Sequence, residues 1–193
     1  MARADFKNNK RSWGNAARGQ GAKRPTKLPT KRRLGNIAAY YLKRFNSSAE
    51  NLRQVLRRRA MKMTTERPEL RPEAMQAIDE IIATLVANGT VNDALYAASR
   101  VRSDQVLKKT RAKTVAKLRS KGVAKDTIEI ALAEESHADA DFEAGLAIAR
   151  RRRLGPYRTT ERTRETDRRD LSILARAGLN FATAKRVMEW SDD

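Results

Sequence analysis

Four lysines, Lys109, Lys113, Lys117 and Lys121, recur at intervals of four, and the stretch from Gln105 to Lys125 around them holds eight basic residues and no acid. On a helix each step of four turns about 40° past a full circle, so the spacing predicts all four ammonium groups on one face. Arg111, in the same basic run, is a further candidate contact. Like charges so placed repel, at a cost on the order of 1 kcal/mol for three successive pairs. An opposing polyanion offsets that cost. The bland reading is a solvated face, but no Glu is interleaved to soften the repulsion, which favours contact. Arg53, Arg57 and Arg58 form a second basic group, Arg150, Arg151 and Arg152 a third, and Arg168 and Arg169 a fourth. The chemistry in view is ionic attachment to phosphates or carboxylates rather than bond making.

Bond-making inventories are thin. The 193 residues contain no Cys and a single His, His137, which removes thiol catalysis, cysteine metal sites and a His-based triad within the chain. Asp139 and Asp141, Glu134 and Glu135, and Asp192 and Asp193 are acidic pairs with no second ligand set, and read as surface charge or helix-end partners. No cofactor, no metal and no catalytic residue are expected. Lys and Arg number 42 against 23 Asp and Glu, a formal charge of +19. The longest mostly apolar stretch, Ile78 to Ala87, is far short of the roughly 20 residues of a membrane span. A cytoplasmic protein without membrane attachment is expected.

The elements that must carry these cations are helical. Aromatics are only 5% of the chain, so the core must come from Leu, Ile, Val, Met and Ala, and no useful alternating pattern occurs. Residues 1–33 hold 11 Lys and Arg, one acid and several Gly and Pro, and read as a disordered basic arm. Trp13 within it could stack on a base, although an aromatic in a tail is more often idle. From Leu34 the helical period takes over. Ser47 and Glu50 have capping-box spacing, Pro72 suits a first helical turn, Asn88-Gly89 stops a helix, and Asn92 can cap the next. Leu154 to Asp170 reads as a polar connector. Tyr40, Tyr41, Phe45 and Tyr96 lie on apolar stripes and read as core rather than stacking platforms.

The pattern repeats. Leu118-Arg-Ser-Lys-Gly122-Val123, followed by Ile128, Ala131 and Leu132, returns 56 residues later as Leu174-Ala-Arg-Ala-Gly178-Leu179, followed by Ala184, Val187 and Met188. The fold expected is all-α: tandem three-helix repeats over 34–90, 91–136 and 137–193, forming an elongated, curved array in which neighbours complete one another's core.

Four stretches resemble the RecX family, regulators of the recombinase RecA. Ala38 to Leu52 looks like the family's first helix and the start of its second. Asn92-Asp93-Ala94-Leu95-Tyr96-Ala97, with Val101-Arg102-Ser103, is similar to its Asp-bearing Tyr-Ala motif in the middle repeat. Leu118 to Val123 and Ala177-Gly178-Leu179-Asn180-Phe181 look like its glycine turns. The likeness covers residues 36–190. It departs at Gln105-Val106-Leu107-Lys108, where relatives often have a glycine-bearing turn, at the extended connector Met63 to Arg71, and at Ala177. The resemblance implies a non-enzymatic protein that binds the groove of a RecA–single-stranded-DNA filament and restrains filament growth, ATP turnover, strand exchange and co-protease activity; a monomer is the separate expectation. The alternative is an independent, sequence-nonspecific DNA- or RNA-binding protein, with a helix-turn-helix use of one repeat. Side chains for base readout are not evident.

Overall fold

The computed structural model describes residues 28–137 and 139–191. Among them are nine α-helices, two short 3₁₀ turns and no strand: α1 Lys31–Leu42, α2 Ala49–Met63, α3 Arg71–Ala87, α4 Asp93–Val106, α5 Arg111–Ser120, α6 Lys125–Glu135, α7 Ala140–Arg152, α8 Arg164–Arg176 and α9 Phe181–Met188. Residues 1–27 of the expected basic arm, Trp13 included, lie outside the described residues.

Side-chain caps set five of the nine described helix starts. Thr30 accepts from the Arg33 N–H, so α1 begins at Lys31 and the last three residues assigned to the arm are helical. The cap of α2 is Ser48, one residue later than the Ser47–Glu50 spacing predicts, and it accepts from the Asn51 N–H. Ser47 instead receives the Asn51 side-chain amide at 2.7 Å, while Glu50 turns to Arg53. Asn92 caps α4 as expected, accepting from the Ala94 and Leu95 N–H groups at 3.0 and 3.1 Å. The expected connector from Leu154 to Asp170 is shorter than its polarity implies. Thr163 and Thr166 form a reciprocal capping box that starts α8 at Arg164.

The helices pack in threes, and one helix of each repeat holds the other two, the third in the first and last repeats and the first in the middle one. In the first repeat α3 packs on both α1 and α2; in the second α4 packs on α6; in the third α9 packs on α7 and α8. Each repeat owns a core. Leu34, Leu52, Leu56, Ile78 and Ile82 centre the first, Tyr96, Val101, Leu118, Ile128 and Leu132 the second, and Phe142, Ile148, Leu174, Leu179 and Val187 the third. The expectation that neighbours complete one another's core is therefore corrected. Three crossing helices enclose enough Leu, Ile and Ala for separate buried clusters, and the repeats meet through polar contacts.

The two glycine turns are related as the sequence repeat predicts. Gly122 and Gly178 have φ of +72° and +98°, a region open to glycine but costly for residues with a Cβ. The N–H of the next residue returns to the helix, Val123 to the Leu118 carbonyl and Leu179 to the Leu174 carbonyl. This is the Schellman closure, with its apolar pair buried.

These turns are also the docking points between repeats. The Ser48 hydroxyl donates to the Lys121 carbonyl at 2.5 Å, and the Ala49 N–H donates to Asp93 Oδ1 at 2.8 Å. One repeat further on, the Thr110 hydroxyl donates to the Ala177 carbonyl at 2.7 Å, and the Arg111 N–H donates to Asp141 Oδ1 at 2.6 Å. Both junctions join the start of one repeat's second helix to the glycine turn of the next. The acid that opens the following repeat satisfies a free helix-start N–H each time.

Candidate polyanion interface

The predicted lysine face divides once the helix ends are known. Thr110 sits at the N-terminal boundary of α5 and Lys121 at its C-terminal boundary, so Lys109 precedes the helix and Lys121 follows it. Lys109 Nζ donates at 2.8 Å to Asp104, which is only 1% exposed and also receives Arg100 Nε at 3.1 Å and the Thr114 hydroxyl at 3.3 Å. Lys109 is thus the counterion of a buried carboxylate. Lys121 Nζ donates to Asn51 Oδ1 at 2.8 Å across the first junction. Only Lys113 and Lys117 remain as exposed ammonium groups on the face, with no ion pair among the described residues. Arg111 is exposed at the first position of α5.

The arginine groups divide similarly. Arg53 is bound at 2.6 Å to Glu50 and at 3.0 Å to Asp79, and Arg57 reaches Asp79 at 3.9 Å. The guanidinium of Arg53 holds the Glu50 carboxyl below its ordinary value. The folded pKa lies below the unfolded one, so this pair supports the fold above the carboxylate range and its contribution fades as pH falls through the lowered value. Arg58 stands exposed beside them. Arg150 lies over the Tyr157 ring, 5.2 Å from its centroid. Arg168 edges a shallow basin with Arg164, Asp167 and Phe181, and Arg169 is exposed on the same helix.

Two acid-free clefts gather several of these cations together with others. The first, about 910 Å³, lies between α1 and α2 and is bordered by Lys121 from the next repeat; it collects Arg44, Arg57, Arg58, Arg59, Lys62 and Lys121. The second, about 300 Å³, lies where α5 meets the third repeat and collects Lys113, Arg151, Arg152 and Arg176. Neither lining contains an Asp or Glu. Each cleft takes cations from two repeats, so the junctions position the charge.

Arg44, Arg59, Lys62 and Arg176 were not among the predicted contacts. Arg59 directly follows Arg57 and Arg58 and Lys62 lies one turn beyond Arg58, whereas Arg44 and Arg176 join their clefts only in three dimensions. The aromatic expectation needs correction too. Tyr96 is buried, but Tyr40 is 64% and Phe45 52% exposed, and both line the first cleft. Helical phase foretells the first: Tyr40 sits about 120° off the seam of Leu34, Ala38 and Tyr41. Phe45 lies beyond the end of α1, where the period no longer applies. His137 sits exposed between α6 and α7, with Nε2 3.9 Å from Glu143. No group of three or more metal-ligating side chains occurs among the described residues, and no described helix is long and apolar enough to cross a membrane.

Residues 92–132, which carry the Asn92 cap, buried Tyr96 and the Gly122 turn, match the family described as RecX, second three-helix domain. The regulatory protein RecX of Myxococcus xanthus (strain DK1622) is 38% identical over 172 residues, covering 88% of this chain and 91% of that protein. This chain belongs to the RecX family. The regulatory protein RecX of Agrobacterium fabrum (strain C58 / ATCC 33970) is 31% identical over 164 residues, covering 83% of this chain and 85% of the relative. The fold is also shared. A crystal structure of RecX from Lactobacillus salivarius matches with a TM-score of 0.64 at 20% identity, covering 82% of this chain and 94% of that one. A second RecX crystal structure matches at 0.65 and 17% identity, covering 83% and 72%. In this RecX family member the left-handed position at the α4–α5 turn is taken by Lys108, with φ of +48°. Its side chain pairs with Glu143 across the second junction.

Proposed function

We propose that this RecX family member is a non-enzymatic regulator that binds RecA–single-stranded-DNA filaments as a monomer in the cytoplasm and restrains filament growth, ATP turnover, strand exchange and co-protease activity. The observation that carries the reading is the pair of acid-free clefts at successive repeat junctions. A molecule with cations at regular intervals suits a fibre whose anionic surface also repeats, and DNA phosphates and acidic patches on a recombinase both meet that description. The family's regulatory proteins supply the class of role; the clefts supply a means of attachment.

Sedimentation with preformed RecA filaments, held by a slowly hydrolysed ATP analogue, tests the attachment. Wild-type chain should pellet with the filament. Lys113→Glu combined with Lys117→Glu should lower that affinity by about tenfold, as expected for two reversed contacts of a few tenths to about 1 kcal/mol each, with helix content unchanged. Equal pelleting by the double variant removes this face from the mechanism.

Deleting residues 1–27 separates the arm from the array. Those residues carry eight Lys and Arg and one acid, so truncation should weaken binding to naked single-stranded DNA and flatten its salt dependence, each lost phosphate contact reducing the log–log slope by roughly 0.7. The thermal melt should stay in place, since Thr30 and α1 are retained. A melt lowered by many degrees would show that the arm supports the fold.

A further inference from the structure

We propose that the cleft between α1 and α2 is a stacking site for the bases of a single nucleic-acid strand, with Tyr40 and Phe45 as its platforms. The inference rests on the polyanion reading of that cleft and adds what the cations alone cannot provide, a reason for the strand to be single.

Tyr40 and Phe45 lie largely in water within one cleft, on a chain with only ten aromatic residues; Phe181 is exposed as well, but its basin includes Asp167. Both are braced. The Arg44 guanidinium donates to the Tyr40 hydroxyl at 3.1 Å and its centre lies 5.9 Å from the Tyr40 ring centroid. Phe45 rests on Tyr41 at a centroid distance of 5.0 Å, and the Tyr41 hydroxyl is held by the Asn51 amide at 3.1 Å. Rings held this way keep their exposed faces in place. Around them are six Lys and Arg and no carboxylate, in a volume of about 910 Å³.

That combination is specific in its demands. Exposed rings in a cationic groove match a polymer whose units alternate a flat π-face with a phosphate, and every base supplies that face whatever its identity. In a duplex the faces are already stacked on their neighbours, so only an open strand can use the platforms. The cleft also continues along α1. A second hollow of about 600 Å³ shares Ile37, Tyr40 and Arg59 with the first and adds Arg32 and Arg33, and Arg33 Nε is buried there without a hydrogen-bond partner. A strand leaving Tyr40 along this path meets further cations. An acidic peptide would satisfy the charge but leave the rings unused.

The test needs no recombinase, so its outcome is separate from filament binding. Anisotropy of a labelled oligothymidylate is titrated with wild-type chain, with Tyr40→Ala combined with Phe45→Ala, and with Arg58→Glu combined with Lys62→Glu. The aromatic variant should bind the oligothymidylate at least about tenfold more weakly, the loss of one to two stacked bases, with its salt slope unchanged. On an abasic strand of equal length that loss should vanish. The charge-reversed variant should lose affinity for both strands and show a shallower salt slope. Tyr40→Phe should bind like wild type, and all variants should keep the wild-type circular dichroism, since the replaced side chains lie at the surface. Three results would each overturn the proposal: no loss on the oligothymidylate from the aromatic variant, an equal loss on the abasic strand, or competition by an acidic peptide as strong as by the oligothymidylate.

Discussion

Asp104→Ala is expected to destabilise the protein by about 3 kcal/mol, read as a lowered midpoint in urea unfolding. The Asp104 carboxylate is buried and receives Arg100, Lys109 and the Thr114 hydroxyl. It thereby ties α4, the turn at Lys108 and α5 into one unit. Removing it strands two cations at a core boundary. Both are 30–37% exposed and regain some water, which keeps the cost at the lower end of the range for broken buried pairs. A domain stable by about 5–15 kcal/mol feels such a loss strongly. Lys109→Met, which leaves Arg100 and Thr114 on the carboxylate, should cost less and should leave filament attachment intact. A loss below about 1 kcal/mol from Asp104→Ala would mean that the cluster is replaceable by water.

Gly122→Ala should cost about 2–5 kcal/mol and should loosen the first junction. Two effects add. The left-handed φ of +72° penalises a Cβ by about 1–2 kcal/mol, and a Cβ at this position would overlap Glu50 Cβ and Cγ, an overpacking cost of about 1–3 kcal/mol. Relief requires moving α2 away from the turn, which breaks the Ser48–Lys121 contact and withdraws Lys121 from the first cleft. Gly178→Ala should behave alike, since its Cβ would fall 2.5 Å from Ala112 Cβ. Gly35 is the control. It lies inside α1 with nothing within 4 Å of an added Cβ, so Gly35→Ala should raise stability by about 0.5–1 kcal/mol. Urea midpoints for the three variants, together with oligothymidylate binding for Gly122→Ala, check the ordering. A Gly122→Ala protein as stable as wild type would show that the junction yields easily.

What the sequence reveals and what it hides divide along the range of the interactions. The helical period, the Asn92 cap and the Gly122 and Gly178 turns are local and periodic, and all of them are legible in the chain. The α8 start was hidden because Thr166 occupies the place where the usual capping pattern has Glu or Gln. The lysine stripe misled for a similar reason. Spacing of four holds only inside one helix, and Thr110 and Lys121 bound α5 too tightly for Lys109 and Lys121 to share its face. Partners distant in sequence were beyond reach. Lys121 meets Asn51 at a separation of 70 residues, and Arg44 joins Arg58 and Lys62, which share a face of α2 at a spacing of four, only because α1 packs on α2. Self-contained cores were also hidden, since apolar positions mark which face is buried without naming the helix that buries it.

The most direct measurement of the role is titration of this chain into RecA hydrolysing ATP on single-stranded DNA. Suppression should be complete at chain concentrations far below those that coat the strand, because each molecule acts on an assembled fibre. Hydrolysis that declines only as the DNA itself becomes saturated would contradict regulation of the filament and leave a protein that merely competes for nucleic acid.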